Sequence, residues 1–91
     1  MEFKDVKLRV EENVEDSLCY VNEFSGGGDH FTLIVVTDLF QGLTHLKKHR
    51  MILDLFKEEI ASKEVHALSL KTFTKKEWEE EKKNFPLSVY T

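Results

Sequence analysis

Along "MEFKDVKLRVEENV" the apolar residues fall at Phe3, Val6, Val10 and Val14, with charged residues between them. Spacings of three and four put these side chains on one helical face, so the segment is predicted to be an amphipathic helix. The pattern then changes. "SLCYVNEF" (17–24) and "HFTLIVVTDLF" (30–40) are rich in β-branched and aromatic residues. The intervening "SGGGD" supplies glycines that tolerate the positive backbone angles of a hairpin loop, so an antiparallel pair is expected. From Leu43 to Lys63 the period becomes helical again, with Leu46, Leu53, Phe56 and Ile60 assigned to one face and a break expected, if anywhere, near the lysines. A third strand, Val65 to Leu70, comes almost at once. Strand–helix–strand crossovers are nearly always right-handed, which makes the second and third strands parallel. The expected fold is therefore α+β: a mixed three-stranded sheet with helices packed on one face.

Thr74 has the spacing of an N-cap, with Glu77 three residues on to complete a capping box, and a last helix is predicted through Lys83. Pro86 ends it. "LSVYT" shows no period, so the chain divides into one domain, 1–85, and a loosely ordered tail, 86–91.

Composition narrows the function. The chain has 91 residues, 41% hydrophobic and 33% charged, as expected of one soluble globular domain. A domain of this size buries roughly two thirds of its unfolded surface, too little for a deep, water-excluding catalytic site, and a binding or assembly role fits better. The net charge of -4 argues against general affinity for polyanions. Cys19 is the single cysteine, which excludes an internal disulfide and suits a reducing compartment, with the cytoplasm as the expected location and nucleus or mitochondrion as alternatives. The longest apolar run, Leu33–Val36, is far too short to span a bilayer, and "MEFKD" lacks presequence character; no membrane association is expected.

Four histidines are the candidate chemistry. His49 is expected between Leu46, Leu53 and Phe56 on the apolar helix face, in a structural role. His45, one turn earlier, completes an i,i+4 pair with the spacing of helical zinc ligands, but no glutamate follows it and zinc-protease chemistry is set aside. His30 begins the second strand and His66 the third. If those strands are parallel, both imidazoles reach one shared edge of the sheet. The bland reading of His30 is an exposed loop residue. Two neutral imidazoles suit a borderline-soft metal without completing its shell, so a partner would have to supply the remaining ligands. No enzyme is indicated: Cys19 has no adjacent base, Ser25 and Ser69 lack a nucleophile-elbow context, and "GGG" lacks the lysine of a phosphate loop. "KKEWEEEKK" reads as a solvated helix face held down by Trp78.

"TDLFQGLTHLKKHRMILDLFKEEI" followed by "VHALSLKTFTKKEW" closely resembles the BolA family, through Phe40, Gly42, His49, Arg50, Glu59, His66, Ala67, Leu68, Thr74 and Trp78 in matching order and spacing. The resemblance covers the chain from its first helix to Trp78. It implies a class II KH-like fold (αββααβ). It also implies a monothiol glutaredoxin partner and a shared 2Fe-2S cluster, completed by the glutaredoxin cysteine and glutathione, in iron-sulfur cluster trafficking or iron regulation. His66, with Ala67 and Leu68 beside it, matches the family's ligand and partner-binding segment. The family's second ligand is a Cys or His in the loop between the first strands, where this chain has Gly28. His30 is the first alternative, Asp29 a weaker one, and no second protein ligand the third. The isolated protein is expected to be a monomer without cofactor. The alternative function is nucleic-acid binding through Lys47, Lys48 and Arg50, ranked second because Gly42 has no glycine partner for a Gly-x-x-Gly clamp.

Overall fold

Phe31, Leu33, Ile34, Val35 and Val36 are all buried although their side chains alternate between the two faces of one strand. That strand must be covered on both sides, and the rest of the architecture supplies the cover. The structure, a computed structural model, describes residues 1–23, 30–85 and 90. In chain order it contains helix α1 (Phe3–Asn13), strands β1 (Leu18–Glu23) and β2 (His30–Val36), helices α2 (His45–Leu53) and α3 (Lys57–Ala61), strand β3 (Ala67–Phe73) and helix α4 (Lys75–Glu81). The sheet order is β1-β2-β3, antiparallel between β1 and β2 and parallel between β2 and β3. This is the α+β mixed sheet anticipated from the order of the elements, and it agrees with the class II KH-like fold that the resemblance implies.

On one face, Phe31, Leu33 and Val35 meet Val6 and Val10 of α1 and Ile52 and Phe56 of the second helical segment. On the other, Ile34 and Val36 meet Trp78 of α4, with Tyr20, Phe73, Phe85 and Tyr90 packed around it. The helices are thus not all on one face: α4 lies opposite α1. The aromatic rings hold it there, with Trp78 centroids 5.5, 5.4 and 5.7 Å from Tyr20, Phe73 and Phe85. The predicted capping box is present. Thr74 accepts from the Glu77 amide and the Glu77 carboxylate accepts from the Thr74 amide.

Three boundaries differ from expectation. β2 stops at Val36 rather than running to Phe40, because the Thr37 hydroxyl accepts from the Leu39 amide and folds Asp38–Phe40 into a 3-10 turn. β3 starts at Ala67 and continues to Phe73, whose carbonyl accepts from the Thr37 amide. The helical segment breaks at a 3-10 turn, Asp54–Phe56, which shifts the phase of the residues beyond it. Ile52 and Phe56 are buried there, whereas Leu46 is 60% and Ile60 38% exposed, so the face assigned to Leu46 and Ile60 is wrong. Of the segment expected to be a loose tail, Tyr90 packs on the second core cluster; residues 86–89 and 91, like the glycine loop 24–29, lie outside the described residues.

Candidate metal centre

The parallel register pairs His30 with Ala67, so His66 enters the sheet one residue before the partner of His30. The two rings meet there, with centroids 5.8 Å apart and planes at 84°. His66 is exposed and His30 half-buried.

Local structure fixes the approach to His66. After α3, Lys63 takes a positive φ of 67°, reversing the chain. The Val65 amide then donates to the Glu59 carbonyl at 3.1 Å, and the Val65 side chain is fully enclosed in the core. Glu59 is itself clamped: its carboxylate receives Arg9 Nη1 at 2.7 Å, while the same guanidinium donates to the Leu55 carbonyl and lies over the Phe56 ring. The Arg9 hydrogen bond holds the Glu59 carboxyl below the usual carboxylate range. His66 thus projects from a short segment anchored on both sides, by Val65 in the core and Ala67 in the sheet.

The chemistry open to this pair is set by its donors. Two rings that share one ion with bonds of about 2.0–2.1 Å have centroids roughly 5 Å apart, and the 5.8 Å between His30 and His66 is close to that span. Among the described residues no cluster of three or more His, Cys, Asp or Glu side chains forms a complete metal site. Cys19 is no ligand, because burial pushes its thiol up to about 12 and the thiolate is the metal-binding form. Its backbone is occupied instead, the amide donating to Glu11 and the carbonyl accepting from Lys7. The alternatives Gly28 and Asp29 fall in the loop outside the described residues. Ala67 shares the register position of His30, whereas Leu68 packs inward against the first core cluster.

The other two histidines form a second pair on α2, with ring centroids 6.0 Å apart. His49 is half-buried and lines a hollow with His45, Leu70 and Phe73, while Leu46, expected beside it on a buried face, is exposed. Lys47 and Arg50 are exposed and Lys48 half-buried, but Lys48 lines a groove shared with Glu77 and Glu80 of α4, which dilutes the basic patch. Nothing in the sequence pattern near Lys48 announces these acidic neighbours, since they come from α4.

The family model described as BolA-like protein matches residues 1–77. This chain belongs to the BolA-like family. The Escherichia coli (strain K12) protein named DNA-binding transcriptional regulator BolA is 47% identical over 77 residues, covering 85% of this chain and 69% of that protein. Among solved structures, the BolA domain of SufE1 from Arabidopsis thaliana is similar with a TM-score of 0.68 and 32% identity, over 85% of this chain and 98% of that domain. Yeast Fra2 is similar with a TM-score of 0.68 and 31% identity, over 86% of this chain and 84% of that one. The BolA-like relatives thus share the sheet and helices that bring His30 and His66 together here.

Proposed function

We propose that this BolA-like chain is an adaptor that docks a monothiol glutaredoxin and supplies imidazole ligands, from His66 and His30, to a 2Fe-2S cluster shared with that partner and glutathione. The observation that carries this reading is the meeting of the two rings 5.8 Å apart at one edge of the sheet, where a partner can reach them. Two imidazoles on one iron are also the donor set of Rieske-type clusters, in which the other iron keeps its thiolates. A cluster bound there would supply one-electron and iron-delivery chemistry. What this chain contributes is position: the Val65 anchor and the β2–β3 register bring two imidazoles to the same edge of the sheet. The BolA domain found in SufE1 agrees with a place in iron-sulfur metabolism.

The test is reconstitution with a monothiol glutaredoxin, glutathione and a 2Fe-2S cluster, read by visible absorption and native mass. His66→Ala and His30→Ala should each shift the spectrum of the complex while leaving the far-ultraviolet circular dichroism of this chain unchanged. A change in His66→Ala alone reduces the chain to a single ligand. No change in either variant removes the metal role and leaves docking without ligation.

One observation favours a second reading, nucleic-acid binding through Lys47, Lys48 and Arg50: the 47%-identical relative is named a DNA-binding transcriptional regulator. Oligonucleotide titration at two salt concentrations separates the readings, since steep salt dependence without a glutaredoxin complex would reverse their order.

A further inference from the structure

The second histidine pair lies where the proposed cluster site has no use for it. His45 and His49 stand one turn apart on α2, with rings 6.0 Å apart and nearly perpendicular. Histidines at i and i+4 project from one helix face, the arrangement by which helical metal sites gather two imidazoles onto a single ion. Both line a hollow of about 310 Å³ against β3, the outer strand of the sheet, together with Leu70 and Thr72. Thr72 lies six residues beyond His66, which along a strand is roughly 20 Å. The two pairs therefore occupy opposite ends of β3.

One strand residue lines the same hollow with an enclosed polar atom. The Thr72 hydroxyl is the one buried side-chain polar atom that finds no hydrogen-bond partner among the described residues. A buried hydroxyl without a protein partner needs a reason, commonly an ordered water or an ion. The hydroxyl is enclosed beneath the lining of the hollow, so the two imidazoles carry the site by themselves. Charge does not oppose a cation there: Lys48 and Lys71 border the pair, but Glu77, Glu80 and Glu81 of α4 line the adjoining groove with His45. His45 and Lys48 also help to keep the Glu77 carboxyl below its usual range, after the larger effect of the Thr74 amide.

We propose that His45 and His49 form a second transition-metal site, separate from His30 and His66, which takes a divalent ion through two imidazoles and completes its shell with water. No third protein ligand is required, consistent with the absence of any three-residue His/Cys/Asp/Glu cluster among the described residues. For an imidazole site with open positions the order of affinity is Cu2+ above Ni2+ and Zn2+.

The test uses the full chain carrying His30→Ala and His66→Ala, so that the outcome is independent of the cluster reading. Cu2+ is titrated in by calorimetry and the loaded protein is examined by electron paramagnetic resonance. One ion per chain with two coordinated nitrogens is expected. Adding His45→Ala, at an exposed position, should weaken binding at least tenfold; His45→Gln, which keeps the helix propensity, should do the same. Cu2+ affinity within twofold of the parent after His45→Ala, or a spectrum with fewer than two nitrogens, overturns the proposal.

Discussion

The His30–His66 and His45–His49 pairs have almost the same shape, with centroids 5.8 and 6.0 Å apart and ring planes at 84° and 86°. They are built by opposite means. One helical turn makes the second pair, and it exists wherever α2 exists. The first pair joins strands far apart in sequence and exists only while β2 and β3 are paired in the register His30↔Ala67. A tertiary site of this kind disappears with the fold and can be oriented by distant residues such as Arg9. A local site depends on the fold only through the packing that keeps α2 helical.

The largest expected effect separates the two pairs through the core. Phe31 is fully buried beside His30, on the face shared with α1. Phe31→Ala should cost about 3–5 kcal/mol by transfer and cavity terms. That is a large part of the roughly 5–15 kcal/mol available to a typical domain. Urea denaturation followed by circular dichroism measures it. In the folded variant, imidazole cross-peaks in NMR spectra should weaken more for His30–His66 than for His45–His49. A loss below about 1 kcal/mol, far under the usual Phe→Ala cost, would show that β2 is not the centre of the core.

The next perturbation acts at the other end. Thr74→Ala removes half of the capping box at the start of α4, with an expected cost of about 0.5–2 kcal/mol. The consequence should stay local. Trp78 fluorescence and the groove beside His45 should respond, and the His30–His66 contact should not. Equal disturbance of both pairs would mean that the two faces of the sheet are more tightly coupled than their separate clusters indicate.

The same contrast governs how much of the molecule is legible in its sequence. The capping box and the His45–His49 spacing are short-range patterns, each contained within five consecutive residues. The meeting of His30 with His66 is accessible only through topology, by the handedness of the crossover. The phase of the α2–α3 segment is only partly accessible: a 3-10 turn at Asp54–Phe56 rotates Ile60 away from the wheel that an unbroken helix predicts, and before that turn the buried position is Ile52 while Leu46 stays exposed. The position of α4 is half visible: "LIVV" buries both faces of β2, which calls for cover on each, but no local pattern says that Trp78 provides the second. The Thr72 hydroxyl carries no signal of its own in the sequence, since its isolation depends on β3 extending past Leu70 to Phe73.

Acid should weaken the approach to His66. Because Arg9 lowers the Glu59 carboxyl in the folded chain, folding favours the ionised form. The stabilisation is therefore fully present above the ordinary carboxylate value near 4.5 and is lost as pH falls through the lower folded value. The size expected for a partly exposed pair is below about 1 kcal/mol. Glu59→Gln should lower stability at neutral pH and flatten this component of the acid limb in urea titrations between about pH 5 and pH 2. An acid limb of unchanged slope would assign the dependence elsewhere, with Glu77 next, since the Thr74 amide lowers its carboxyl too.

The smallest effect has the opposite sign. Lys63 holds φ at 67° immediately before the segment that carries His66, a conformation that costs a side-chain-bearing residue about 1–2 kcal/mol relative to the right-handed region. Glycine escapes that steric penalty but gives up about 0.5–1 kcal/mol through greater freedom in the unfolded chain. Lys63→Gly should therefore stabilise the domain by about 0.5 kcal/mol, read as a small rise in the urea midpoint at unchanged slope. Because the backbone keeps its path, the Val65 amide should still donate to Glu59 and the His30–His66 contact should persist. A stabilised domain whose imidazole contact is lost would show that the lysine side chain, not only the backbone reversal, helps orient His66.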